Sequence, residues 1–154
     1  NNAYESIPAL IQANDGKLAS VHEAVVNGIA VSAMKFGSGN YTGHYTSDPT
    51  GAVGDHRLTF YAVGWQEADH EAGKLYLRVR GGGEASVTQI PLRINDGATG
   101  QAPFVLRVGD EDRYEVRLTG LETGSVIDFS TSPEFDYRKD DRTGRALLFG
   151  VQID

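Results

Sequence analysis

The chain has no cysteine, a single tryptophan, a single methionine and only five prolines in 154 residues. Without thiols there is no disulfide framework and no thiolate metal site. No apolar run approaches the ~20 residues that a membrane-crossing helix needs. Bases are also scarce: 14 Lys and Arg stand against 21 Asp and Glu, a net charge of −7. Residues 1–73 carry eight acids and three bases, residues 74–119 six and seven, and residues 120–154 seven and four. No segment forms a basic stripe, so neither nucleic acid nor an anionic membrane surface is expected as a partner, because both require clustered cations. There is no G-x-S-x-G elbow, and Gly81-Gly82-Gly83 lacks the Lys-Ser/Thr that would make it a phosphate loop. His22, His44, His56 and His70 fall on different segments, without the spacing of a zinc site. No internal repeat points to a propeller or solenoid.

What is present is alternation. In Arg57 to Arg80, Leu58, Phe60 and Ala62 alternate with Arg57, Thr59 and Tyr61, and Leu75, Leu77 and Val79 alternate with Tyr76, Arg78 and Arg80. A period of two marks a half-buried strand, since successive side chains leave opposite faces. The acidic stretch between the two runs reads as the connection of a hairpin. The same pattern recurs along the chain. Ser20 to Val26 and Ile29 to Phe36 flank an Asn27-Gly28 turn of the type I′ kind. Ile29 to Phe36 is apolar on both faces, which places it near the middle of the fold. Further strands are expected within Asn40 to Thr46, Ser86 to Asn95, Phe104 to Val108, Arg113 to Thr119 and Ser125 to Ser130. Arg145 to Ile153 is the most apolar run and is expected to be central. Pro91 argues for an edge or a bulge in its strand.

Strands at close spacing with turns between them predict an all-β domain: one antiparallel β-sandwich of jelly-roll type, about nine or ten strands, little or no helix. It is expected to span residues 1–154, with 1–27 the least legible part. A start at Asn1 rather than Met fits a mature exported protein and equally a fragment of a longer one.

Candidate sites are few. Sugars bind by laying their C–H faces on flat rings with polar groups alongside. On that ground Trp65, Tyr41, Tyr45, Tyr76 and Arg78 are the candidate ligand-binding residues, with Arg80, Arg93, Arg107 and Arg117 extending the face of Tyr76 and Arg78. Glu67, Asp69 and Glu71 form E-x-D-x-E, which on a strand puts three carboxylates on one face about 7 Å apart. Paired carboxylates carry glycoside hydrolysis, and the motif resembles the catalytic strand of laminarinase-type jelly-roll glycosidases. It departs from that pattern in having Ala68 and His70 where large apolar residues belong. Asp110-Glu111-Asp112 and Asp136 to Asp141 are acidic turns that read either as solvated charge or as calcium ligands, and neither matches a D-x-D-x-D-G loop.

LTFYAVGW, INDGATGQAPFVLRV, RYEVRLTGL and RALLFGVQI together resemble a recurrent C-terminal β-sandwich domain of secreted or cell-surface Bacteroidetes proteins, over roughly residues 28–153. The resemblance implies a jelly-roll fold akin to carbohydrate-binding modules, and export. It brings no site residues, and the Asp- and Arg-rich stretch Ser132 to Thr143 departs from it. The expected function is a non-catalytic carbohydrate-binding module of a secreted or surface-attached bacterial protein. Its partners would be a polysaccharide or glycan and neighbouring domains, with no membrane insertion. It would need no cofactor beyond a structural calcium. Two alternatives stand beside it: a protein-docking or spacer domain, and a glycosidase using Glu67 and Glu71.

Overall fold

The computed structural model describes residues 19–37, 43–65, 73–95, 103–136 and 145–154. They form eleven strands: β1 (Ala19–Val26), β2 (Ile29–Phe36), β3 (His44–Thr46), β4 (Gly54–Trp65), β5 (Leu75–Arg80), β6 (Glu84–Ala85), β7 (Gln89–Ile90), β8 (Phe104–Leu106), β9 (Arg113–Leu121), β10 (Val126–Ser130) and β11 (Arg145–Ile153). A 3-10 turn at Asp110–Asp112 is the one helical element among the described residues. Seven strands make one sheet in the order β6-β9-β4-β11-β2-β1-β8, and four make a second, β3-β10-β5-β7. The chain is thus an all-β sandwich, as the alternation predicts. Its strand pairings are antiparallel except for β1 with β8, which is parallel.

The main core lies between the sheets. Phe36, Phe60 and Leu148 of the large sheet and Tyr45, Leu77 and Phe129 of the small one are among its buried members. Phe60 meets Phe129 edge-to-face at 5.5 Å between ring centres, a favoured geometry for aromatic quadrupoles. A second apolar cluster occupies the opposite face of the large sheet, with Val31, Ala33, Val63, Leu147, Phe149, Phe104 and Leu106. Strict alternation explains the division: Met34 and Phe36 point into the main core, and Val31 and Ala33 point away from it. Burial on both faces is why β2 is apolar on both sides and β11 reads as a continuous apolar run, and β11 lies between β4 and β2.

Two glycine bulges keep that bookkeeping of faces intact. Between Phe149 and Gln152, β11 carries one residue more than β4, and Gly150 sits there at φ 64. The extra residue reverses the phase, so Leu148 and Val151 both reach the main core while Gln152 faces solvent. Gly120, at φ 66, does the same in β9, bringing Leu121 inside with Leu118. The Asn27-Gly28 turn also forms as expected, with φ of 50 and 82. Asn27 additionally binds the segment just past β8: its amide donates to the Val108 carbonyl at 2.9 Å and accepts the Val108 N–H at 3.0 Å.

Two expectations are corrected. Arg57 to Arg80 is no hairpin: β4 pairs with β9 and β11, while β5 lies in the other sheet. The chain enters β5 past Gly73, where a Cβ would collide with the Arg145 carbonyl oxygen. The strand expected over Ser86 to Asn95 is divided. Gln89–Ile90 pairs with β5, and Leu92 N–H closes onto the Ile90 carbonyl at 2.8 Å around Pro91. Ile94 then makes a parallel bridge to Gly64 of the large sheet. Pro91 has no N–H to continue the first ladder, so the segment leaves one sheet for the other. The one parallel pair arises because β8 arrives beside β1 by a long connection rather than a hairpin.

Candidate functional site

The outer face of the four-stranded sheet gathers more chemistry than any other described surface. Register fixes its rows. His44, Ser130, Tyr76 and Gln89 lie side by side across β3, β10, β5 and β7. Thr46, Asp128 and Arg78 form the next row, and Val126 and Arg80 the third. Neighbours along β5, such as Tyr76 and Arg78, are about 7 Å apart by strand geometry.

Asp128 is the anchor. It is fully buried, and its carboxylate accepts four hydrogen bonds. Thr46 Oγ1 donates to Oδ1 at 2.5 Å, and Arg80 Nη2 to the same oxygen at 2.9 Å. Arg78 Nε and Arg80 Nε each donate to Oδ2 at 2.6 Å. Burial pushes the Asp128 carboxyl upward, but the hydrogen bonds from Arg80, Thr46 and Arg78 outweigh it and hold the group below the ordinary carboxylate value. Since the Thr46 hydroxyl proton goes to Asp128, His44 Nε2, 3.2 Å from Thr46 Oγ1, must be the donor of that contact.

The segment after β10 folds back over this face. Gly43 N–H donates to Thr131 Oγ1 at 2.8 Å, and Thr131 N–H to the Gly43 carbonyl at 2.9 Å. Ser132 Oγ donates to Glu134 Oε2 at 2.5 Å. This tight turn puts Phe135 at φ 54, a conformation costing about 1–3 kcal/mol for a side chain of its size. Held there, the half-exposed ring lies 4.4 Å from the Arg78 guanidinium carbon and meets His44 edge-on at 6.3 Å. Phe135 was not singled out in the sequence, where it is masked by its polar neighbours. An aromatic inside an otherwise charged run was the signal available.

Of the expected ligand residues, Tyr76 and Arg78 come together on this face, both half-exposed, with Arg80 and Gln89 beside them. Tyr45 is corrected: it alternates to the inner face, is 2% exposed and packs on Phe36, so it offers no stacking surface. Burial, with the Asp48 charge adding, pushes its hydroxyl up to about 12. Trp65 ends β4 in the other sheet, and its side chain lies outside the described residues, as does Tyr41. Glu67, Asp69 and Glu71 also lie outside them.

The other arginines do not extend the face. Arg117 pairs across from Arg57 in the large sheet. Arg93 is a structural clamp: Nε and Nη2 reach the two oxygens of Asp112 at 2.8 and 2.6 Å, and Nη2 also reaches the Arg107 carbonyl. Asp112 is fully buried and accepts the Gly109 N–H as well. Asp112 is therefore an internal ion-pair partner, while Asp110 and Glu111 of the same turn are exposed. Among the described residues no three His, Asp or Glu are grouped to hold a metal ion. Asp140 and Asp141 lie outside these residues.

A second polar cluster lies at the far end of β4. His56 sits between two carbonyls, Nδ1 at 2.5 Å from Asp154 O and Nε2 at 2.9 Å from Val53 O. Only the imidazolium can donate to both, and these bonds raise its pKa. Arg57 joins it through Asp154 and Glu115.

No protein-family model matches the chain, and no curated protein matches it. Two solved structures are similar in fold. One is TmCBM61 in complex with β-1,4-galactotriose, 15% identical, with 92% of this chain and 85% of that chain aligned and a TM-score of 0.43. The other is the enzymatically active domain of tailspike protein 4 of bacteriophage CBA120, 8% identical, with a TM-score of 0.42; 94% of this chain aligns with 21% of that one.

Proposed function

We propose that this domain is a non-catalytic carbohydrate-binding module and that the outer face of the four-stranded sheet is its ligand surface. The observation that carries the proposal is the strip Tyr76, Gln89, Arg78 and Arg80, set on adjoining strands with Phe135 alongside. A half-exposed ring, an amide and two guanidiniums on a rigid sheet supply the stacking plane and the directional donors that a sugar requires. The only carboxylate in the rows of this face, Asp128, is buried and fully engaged by its donors. It has no proton to give and no free edge to receive one, which favours binding over hydrolysis. We place the module in a secreted or surface-attached bacterial protein, joined to other domains.

The test is a screen of the purified domain against a broad set of polysaccharides, with and without calcium. Tyr76→Ala is expected to weaken any hit about tenfold, or ~1.4 kcal/mol, at unchanged melting temperature. Loss of the hit with chelator would add calcium to the account. Absence of binding to every polysaccharide would defeat the proposal and favour the docking reading. That reading has its own observation: Val21 and Val105 are 55% and 60% exposed on β1 and β8, at one margin of the large sheet.

A further inference from the structure

Arg78 is oriented by the protein but not consumed by it. A guanidinium has five N–H donors. Among the described residues, only the Nε–H of Arg78 is engaged, by Asp128 Oδ2 at 2.6 Å. The face of the group rests 4.4 Å from the Phe135 ring centre. Both terminal nitrogens are without a partner among the described residues, and the side chain is 37% exposed. The side chain is therefore fixed at its root and along its plane, with its outer edge presented to solvent. Arg80 grips both oxygens of Asp128, so this carboxylate is shared between two guanidiniums. Glu134 of the covering turn accepts a hydrogen bond from Ser132 of its own loop.

A planar, positively charged fork best complements an oxyanion, since two parallel charge-assisted bonds are each about twice as strong as neutral ones. We infer that the saccharide bound by this module carries an anionic group, a uronate carboxylate or a sulfate ester, seated on the free edge of Arg78 while Tyr76 takes the ring face. This rests on the carbohydrate reading of the same surface and narrows it to acidic glycans. The opposing influence is the chain's net charge of −7. It repels a polyanion at long range, where salt screens it, and leaves the short-range contact to decide specificity.

The experiment is calorimetric titration of the full chain with matched pairs: polygalacturonate against its methyl ester, and a sulfated galactan against its desulfated form. At least tenfold tighter binding of a charged member is expected, and which pair shows it distinguishes carboxylate from sulfate. Arg78→Lys keeps the charge and loses the fork; it should erase most of that preference, lowering affinity for the charged member several-fold more than affinity for the neutral one. If the variant does not fold, the matched pairs still decide with the natural chain. Equal affinity for charged and neutral members would overturn this inference and leave the carbohydrate reading standing. No binding of either charged member would also overturn it, and the broad polysaccharide screen then decides the carbohydrate reading separately.

Discussion

At the scale of single residues, the most consequential side chain is Asp128. It is buried, yet two of its three partners are only part-buried: the Arg78 and Arg80 side chains are 37% and 46% exposed. Removing a buried partner strands the others, at about 3–5 kcal/mol for a fully buried pair. Solvent around the arginines softens that loss. Asp128→Asn is therefore expected to cost about 3 kcal/mol, read as a lower urea midpoint, and to release Arg78 from its orientation. The pH dependence follows from the depressed native pKa. The stabilisation is complete above the unfolded-state value of about 3.9 and is lost as pH falls through the lower native value. Acid unfolding of the natural chain should accordingly show a carboxylate contribution below about pH 4 that Asp128→Asn lacks.

At the scale of elements, much of the fold was legible. Ile29–Phe36 and Arg145–Ile153 form strands over the expected residues, and the central place of β11 follows from its two apolar faces. Partner choice was not legible. Alternation says which face of β4 is buried, and β5 shows the same alternation, but nothing in that pattern says which strand lies beside which. The clue was Tyr61 and Val63: β4 has apolar residues on its second face too, which suits the middle of the large sheet and not a hairpin with β5. The candidate site was half legible for the same reason. Tyr76 and Arg78 follow from β5 alone, whereas Asp128 and Phe135 reach them only through sheet pairing and a turn. The bulges belong to this scale as well. Gly150 holds a left-handed backbone that a Cβ disfavours by about 1–2 kcal/mol. Gly150→Ala should lower the unfolding free energy by that amount in a denaturant titration, and a loss under 0.3 kcal/mol would mean that the bulge tolerates a side chain.

For the whole molecule, the large sheet is the structural centre, apolar on both sides. Phe149 stacks on Tyr61 at 5.6 Å, nearly parallel, on the face away from the small sheet. Phe129 fills the space between the sheets. Both are fully buried. Phe149→Ala and Phe129→Ala are thus each expected to cost about 3–5 kcal/mol. A small effect of Phe149→Ala beside a large one of Phe129→Ala would show that the second cluster contributes little.

The place of β11 also dictates an order of events while the chain is being made. It is the last of the eleven strands in sequence, yet it joins β4 to β2 in the middle of the large sheet. Until residues 145–153 leave the ribosome, β2-β1-β8 and β6-β9-β4 have no shared seam, and their inner margins stay unpaired. A nascent chain therefore keeps the two halves of this sheet apart until β11 pairs with both β4 and β2.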